Sequence, residues 1–321
     1  MTLRQMLKVM LRPRRTHAEM IHLQDHLTEA SSERDRLRSI LDGLDAVQFV
    51  PPGHFYSPVP SRGDVESHLA RQRHKSMLES LPAIRMDDQT QLDFLRRLET
   101  YYPKVPFQGT PTEGLLYHFD NPNYSYTDGI VLFCAMNHLR PRRLIEIGSG
   151  FSTCAILDTN RLSLGSQTQI TSIEPHAELL RSLIAKSNDS ITIVEKKLQD
   201  AELEVFDQLC AGDVLFIDST HISKVGSDVN YIIFEILPRL SPGVIIQIHD
   251  IYLAYEYPDV WLREGRAWNE AYLLRAFLEY NERFRILLFV SYMQNAHEGW
   301  FREHMPDTLL NKGGCFWMEK I

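Results

Sequence analysis

Two apolar runs in this chain end in titratable side chains, Asp213-Val-Leu-Phe-Ile-Asp218-Ser-Thr-His221 and Gly243-Val-Ile-Ile-Gln-Ile-His249-Asp250. An acid closing each run suits a hard divalent ion with oxygen ligands, so Asp218 and Asp250 are candidate metal ligands for Mg²⁺ or Mn²⁺. His221 and His249 are candidate catalytic residues, because an unperturbed imidazole titrates near neutrality and can take the proton of a hydroxyl. Singly, each has a plainer reading: the acids as caps of the following helices, the histidines as satisfied core residues. All four together are harder to explain that way.

A second constellation lies upstream. Residues 143–154, Arg-Leu-Ile-Glu-Ile-Gly-Ser-Gly-Phe-Ser-Thr-Cys, read as a buried strand, a glycine turn and a helix. Gly148 and Gly150 let the backbone pass close under a ligand, and the helix N-terminus offers N–H groups to an anion. A dinucleotide would need a third glycine where Thr153 stands, and its pyrophosphate would face Glu146. S-adenosylmethionine has no phosphate; its ammonium and sulfonium tolerate an acid, and its carboxylate can face the helix. Glu146, Gly148 and Gly150 are thus candidate cofactor-binding residues, in the pattern of the first motif of class I methyltransferases. The next alternating run, Gln169 to Glu174, ends in an acid placed to take two ribose hydroxyls. Gln199 and Asp200 follow the run 191–195, where the adenine amino group would lie; an exposed turn acid is an equal reading of Asp200.

These groups need a frame, and the periodicity supplies one. Strands are expected near 143–148, 169–174, 190–195, 213–218, 243–249, 284–290 and 314–319, with helices between most of them. Such alternation implies an α/β, Rossmann-like fold: seven strands in a mostly parallel sheet, helices on both faces, and ligands at the carboxyl ends of the strands. Ser125, three residues before Asp128, resembles a capping box opening a helix that runs through Val131, Leu132, Ala135 and Met136 to Pro141. Helical periodicity also surrounds Leu92, Phe94, Leu95 and Leu98.

The N-terminus is organised differently. Met20, Leu23, Leu27, Ala30, Arg34, Leu37, Leu41 and Leu44 alternate three and four apart, the seam of a coiled coil that would make a homo-oligomer, or of a helix packed on its own chain. Before it, Arg4, Lys8, Arg12, Arg14 and Arg15 accompany Leu3, Met6, Leu7, Met10 and Leu11. That segment is read as a solvated helix face, with contact to an anionic membrane surface as the alternative. Gly43 and the proline-rich stretch 50–60 end the pattern. The expected division is a helical extension over 1–48, a linker and helical cap over 49–120, and a cofactor-binding domain over 121–321.

The 321 residues can bury such a domain and leave an extension. A net charge of −8 argues against wholesale nucleic-acid binding. Cys134, Cys154, Cys210 and Cys315 lie far apart without metal-type pairing, as reduced thiols of a cytoplasmic protein do. No apolar run approaches the roughly 18 residues of a membrane span, and the N-terminus lacks a signal-peptide core.

The combination Tyr124-Ser-Tyr-Thr-Asp-Gly129, Glu-Ile-Gly-Ser-Gly-Phe-Ser152, Ser-Ile-Glu-Pro175, Phe216-Ile-Asp-Ser-Thr-His221, Gly226-Ser-Asp-Val-Asn-Tyr231 and Ile248-His-Asp-Ile251 resembles the bacterial Methyltransf_24-like group of class I S-adenosylmethionine-dependent methyltransferases. This group is related more distantly to macrolide sugar and catechol O-methyltransferases, and the resemblance spans residues 50–320. It implies that Tyr126, Ser149, Ser152, Pro175 and Asp218 join the cofactor site, and that the acceptor is a hydroxyl of a sugar, glycan or natural-product intermediate. The metal-dependent relatives carry Asn or a paired acid beside the fifth-strand Asp, whereas here His249 precedes Asp250 and Ile251 follows it. The resemblance therefore leaves His249, or a residue elsewhere, as third metal ligand, or a histidine as simple base.

The segment Tyr255 to Trp261, with Arg263, Arg266, Trp268 and Asn269, follows the fifth strand and is placed either to cover the acceptor or to pack on the N-terminal extension. A metal-dependent hydroxylase on the same fold and a non-catalytic ligand-binding scaffold are the alternative functions.

Overall fold

The computed structural model describes residues 31, 32, 34, 49–72 and 81–321. The basic segment 1–15 and, apart from the helical Arg34, the seam residues from Met20 to Leu44 lie outside them. The chain divides into two compact units, Met1–Ser57 and Pro58–Ile321. Among the described residues no helix is long and apolar enough to cross a membrane.

The second unit is built on one seven-stranded sheet in the order β3-β2-β1-β4-β5-β7-β6. Its strands are β1 (Arg143–Ile147), β2 (Gln169–Ile173), β3 (Thr192–Val194), β4 (Val214–Ile217), β5 (Ile245–Ile248), β6 (Phe284–Phe289) and β7 (Phe316–Lys320). Six fall within the stretches expected from the sequence, and β7 extends one residue past its expected end at 319. β4 and β5 are buried along their whole length, which is why they read as largely apolar rather than alternating runs, with the buried Gln247 the one polar residue in β5. β4 pairs in parallel with β1 on one side and β5 on the other, while β7 runs antiparallel between β5 and β6. From β1 the chain builds outward through β2 to β3, then crosses back to β4 on the other side of β1. This reversal opens a crevice at the carboxyl ends of β1 and β4, the place where open α/β sheets bind ligands.

The described residues between Pro58 and β1 belong to the same unit. The helix Asp88–Glu99 buries Phe94, Leu95 and Leu98 of the expected periodicity, with Gln91 buried beside them and Leu92 half-buried. The buried Asp158 carboxylate accepts the backbone N–H groups of Leu116 and Tyr117 at 2.8 and 2.9 Å, tying the preceding loop to the helix Phe151–Ser163. The Tyr117 hydroxyl passes directly over Gly129, where any Cβ would overlap it.

The helix Tyr126–Leu139 forms as expected, but not by a capping box. Ser125 makes no side-chain cap; its hydroxyl donates to the Phe119 carbonyl. Asp128 instead accepts the backbone N–H groups of Gly314 and Cys315, both at 3.0 Å. The demand of the unpaired N–H groups entering β7 outweighs local capping, because those donors are buried. All four cysteines are free thiols, with Cys134 and Cys154 in helices.

Candidate active site

Gly148 leaves β1 with a φ of 90°, and a Cβ there would overlap the backbone oxygen of Asp218. The turn is therefore pressed against the end of β4, whose Asp218 N–H donates to Ile147 O at 2.8 Å. On its other side Gly148 N–H donates to Ile173 O at 3.0 Å, so the turn is anchored to both neighbouring strands. Only glycine meets both the conformation and the spacing.

Glu146 lies fully buried under this turn. Its two carboxyl oxygens accept the hydroxyls of Ser152 at 2.7 Å and Thr153 at 2.6 Å, and Thr153 Oγ1 also accepts the Gly150 N–H at 3.0 Å. Thr153, in the place of a third glycine, thus braces the turn. Burial pushes the Glu146 carboxyl up to about 8, against the lowering effect of the two hydroxyls. Glu146 and Ser152 are expected from the sequence as cofactor-binding residues; the structure joins them to each other beneath the glycine turn.

The other expected donor-site residues are partly assembled. Glu174 leaves β2 half-buried and accepts the His176 N–H through Oε1 at 2.7 Å. Ser149 and Pro175 occupy the turns after β1 and β2, and Gln199 donates to Gly226 O at 2.6 Å while Asp200 is exposed. Tyr126 stacks on Phe119, and its hydroxyl donates to Asp120 at 3.1 Å rather than to a residue of the glycine turn.

The two apolar runs converge as expected. Pairing of Ile217 with Ile248 sets Asp218 and His249 side by side at the ends of β4 and β5. Asp218 Oδ1 lies 3.2 Å from His249 Nδ1 and 3.5 Å from His221 Nε2, and His221 Nε2 lies 3.6 Å from Asp250 Oδ2. Asp218, His221 and Asp250 each present a ligand atom within 4.8 Å of the others, a donor set of two carboxylates and one imidazole that fits a divalent cation. His221, not the expected His249, completes that set. His249 Nδ1 is taken up by Asp218, and its Nε2 is shared between Asp128 at 3.8 Å and Asp250 at 3.9 Å.

His221 and Asp250 both adopt positive φ, 61° and 58°, a strained conformation for non-glycine residues that tends to cluster at functional sites. Burial disfavours the charged imidazolium of His221, yet hydrogen bonds to Asp218 and Glu270 raise it to about 10. His249 is likewise raised well above its ordinary value against its burial, by the charges of Asp250 and Asp218. Desolvation alone would raise Asp218, but the two imidazoles hold it well below the carboxylate range. Burial raises Asp250, and the same imidazoles only partly offset this.

Three partners of this cluster carry no spacing signal in the sequence. Glu270, buried at the start of the helix Glu270–Leu278, reaches His221 Nδ1 at 2.8 Å and also accepts the Ser219 hydroxyl at 3.2 Å. Asp128 backs His249 from the helix Tyr126–Leu139. Tyr252 donates its hydroxyl to Asp250 at 3.1 Å. The segment after β5 also returns to the site: Trp268 lies 4.4 Å from the His221 ring, Arg266 rests on the faces of Trp261 and Trp268, and Asn269 bonds Ser223.

Residues 145–251 match the model of the Methyltransf_24 family, described as a methyltransferase domain. An uncharacterized protein of Archaeoglobus fulgidus is 29% identical over 163 residues, covering 50% of this chain and 73% of that protein. Among solved structures, an SAH-bound methyltransferase of Podospora anserina is 14% identical, with 83% of this chain and 99% of that chain covered and a TM-score of 0.40. The O-methyltransferase TomG of Streptomyces achromogenes, in complex with SAM, is 13% identical, with coverage of 78% and 97% and a TM-score of 0.39. The family match falls on the glycine turn and the Asp218–Asp250 cluster, so the stretch 145–251 is similar to a methyltransferase domain.

Proposed function

We propose that the protein moves the methyl group of S-adenosylmethionine to a hydroxyl of a sugar, glycan or natural-product intermediate, with the hydroxyl proton removed at the Asp218, His221 and Asp250 cluster. The observation that carries this reading is the packing of Gly148 on Asp218, because it sets the donor turn beside the titratable groups. The acceptor oxygen attacks the methyl carbon, the sulfur–methyl bond breaks with its electron pair kept by sulfur, and the proton leaves the oxygen. Such a transfer needs in-line positioning and removal of that proton more than it needs covalent help from the protein.

The carboxyl groups of Asp128, Asp218, Asp250 and Glu270 outnumber the imidazoles of His221 and His249. Carboxyl groups packed this closely repel one another without a compensating cation. Asp218, His221 and Asp250 would hold Mg²⁺ or Mn²⁺, whose chemistry there is to lower the pKa of an acceptor hydroxyl. The chain's own contribution is to fix His221 through Glu270, to orient Asp250 through Tyr252, and to hold Asp218 ionised between two imidazoles. A second reading, His221 as direct base, draws on the Glu270 contact, which occupies Nδ1 and leaves Nε2 facing the cluster; with its pKa raised to about 10 the ring would serve as base only in its minor unprotonated form near neutrality.

The test is methyl transfer from labelled S-adenosylmethionine by the full chain to hydroxylated acceptors, with and without EDTA. Transfer abolished by chelation and restored by Mg²⁺ or Mn²⁺ supports the metal reading, and transfer indifferent to chelation supports the histidine. Donor binding with no transfer leaves a scaffold, while metal-dependent oxygen consumption points to a hydroxylase.

A further inference from the structure

We propose that a cavity at the carboxyl edge of the β5-β7-β6 half of the sheet receives the body of the acceptor, and that this acceptor is a neutral, polyhydroxylated ring rather than an anionic one. The proposal rests on the methyltransferase reading and adds to it where the acceptor sits and which chemistry it presents. The donor turn occupies the β1-β2 side of the crevice, so an acceptor must approach the cluster from the other half of the sheet.

A cavity of about 870 Å³ lies there, a volume within the range of small-molecule sites. Tyr252 connects it to the chemistry: its ring lines the cavity and its hydroxyl bonds Asp250. Tyr257, Leu253 and Leu309 add apolar surface to the lining, suited to the C–H face of a ring.

Ser291 gives the independent sign of a ligand. It lines the cavity from the helix Val290–Ala296, is 6% exposed, and its hydroxyl has no hydrogen-bond partner. A buried hydroxyl left unpaired is unfavourable, and a small shift of the Ser291 side chain toward the cavity would let a ligand hydroxyl satisfy it.

The charged lining decides between neutral and anionic acceptors. Glu256, Asp259 and Glu298 face the cavity, while Lys312 is the sole cation among its described lining residues. The basic partners of those acids, His68, Arg263 and Arg302, are not part of the lining. Carboxylates accept hydrogen bonds from sugar hydroxyls but repel a phosphate or uronate.

The experiment compares phenyl β-D-glucopyranoside with phenyl β-D-glucuronide on the full chain by saturation-transfer NMR, with S-adenosylhomocysteine binding followed separately by calorimetry. The glucoside should bind, and the glucuronide should bind about five- to tenfold more weakly, from like-charge repulsion. Ser291→Met fills the cavity and should weaken the glucoside about tenfold, the scale of one lost hydrogen bond. The exposed Asn295→Trp narrows the mouth without disturbing the core and should act in the same direction. S-adenosylhomocysteine affinity should be unchanged in both variants. Equal or tighter binding of the glucuronide, absence of glucoside binding, or a glucoside affinity unmoved by Asn295→Trp overturns the proposal. A wild-type chain that fails to bind S-adenosylhomocysteine overturns the methyltransferase reading instead, whatever the glucoside does.

Discussion

His221 and Glu270 are joined ring to carboxylate at 2.8 Å, and the backbone N–H of Glu270 also donates to the His221 carbonyl at 3.1 Å. One residue thus holds the other at both its side chain and its backbone. Glu270→Ala should lower turnover about 10- to 100-fold, the usual effect of removing a carboxylate that orients a ligand or catalytic imidazole. Glu270→Gln, which can still accept from Nδ1, should recover part of it. Steady-state kinetics beside calorimetry with S-adenosylhomocysteine checks this: a fall in donor affinity matching the fall in turnover would show general damage to the fold.

Removal of single carboxylates separates the two halves of the site. Glu174→Ala should cost about 1–3 kcal/mol of donor affinity, the scale of hydrogen bonds to a charged group. Asp218→Ala and Asp250→Ala should abolish turnover. Full activity in both of the latter would place the chemistry elsewhere.

Gly148→Ala meets two obstacles at once, a φ of 90° and the Asp218 carbonyl oxygen in the path of the new Cβ. The backbone conformation alone should destabilise the protein by about 1–3 kcal/mol, with the overlap adding to it. Donor affinity should fall together with Tm, because the turn can relieve the clash only by moving away from β4. Gly114→Ala is the control: its φ is 82°, but no atom lies in the way.

Glu146 gives a pH prediction with a definite sign. Its carboxyl titrates near 4.5 in an ordinary setting and near 8 in the folded protein, where burial favours the protonated form. Between those values the folded chain keeps a proton that the unfolded chain releases, so stability should fall as pH rises from about 4.5 to about 8. The slope from this group is at most about 1.4 kcal/mol per pH unit. Glu146→Gln keeps an oxygen acceptor for Ser152 or Thr153 but has no proton to lose. Urea unfolding at several pH values should show a flatter profile for the variant and higher stability than wild type near the alkaline end; superimposable profiles would contradict the assignment.

The sheet was legible in the sequence because burial on both faces leaves largely apolar runs, unbroken in Val214–Ile217 and interrupted only by Gln247 in Ile245–Ile248. The convergence of Asp218 with Asp250 was legible for the same reason, since both follow strands that pair in parallel. What stayed hidden depends on side-chain direction and on distant partners. The sequence shows that Glu146 precedes a glycine turn, but not that Ser152 and Thr153 reach back to it from the first turn of a helix. That His221 reaches both Asp218 and Asp250 depends on side-chain placement that the sequence does not carry. Glu270 carries no signal at all, since its link to His221 exists only after the chain has passed over the site and returned.

The reversed strand β7 has a consequence for the order in which the molecule can be assembled. β5 and β6 precede it in the chain but do not pair with each other; β5 is joined only to β4, and β6 to no strand, until β7 inserts between them. The buried acceptor of Asp128 also waits for Gly314 and Cys315 at the entrance to that strand. The donor side, β1 through β4, can pair before residue 316 is available, whereas the cavity side has no continuous sheet until then. A chain halted before β7 would be half a catalyst with an open sheet edge at β5, a surface prone to association with other exposed strands until the missing strand fills it.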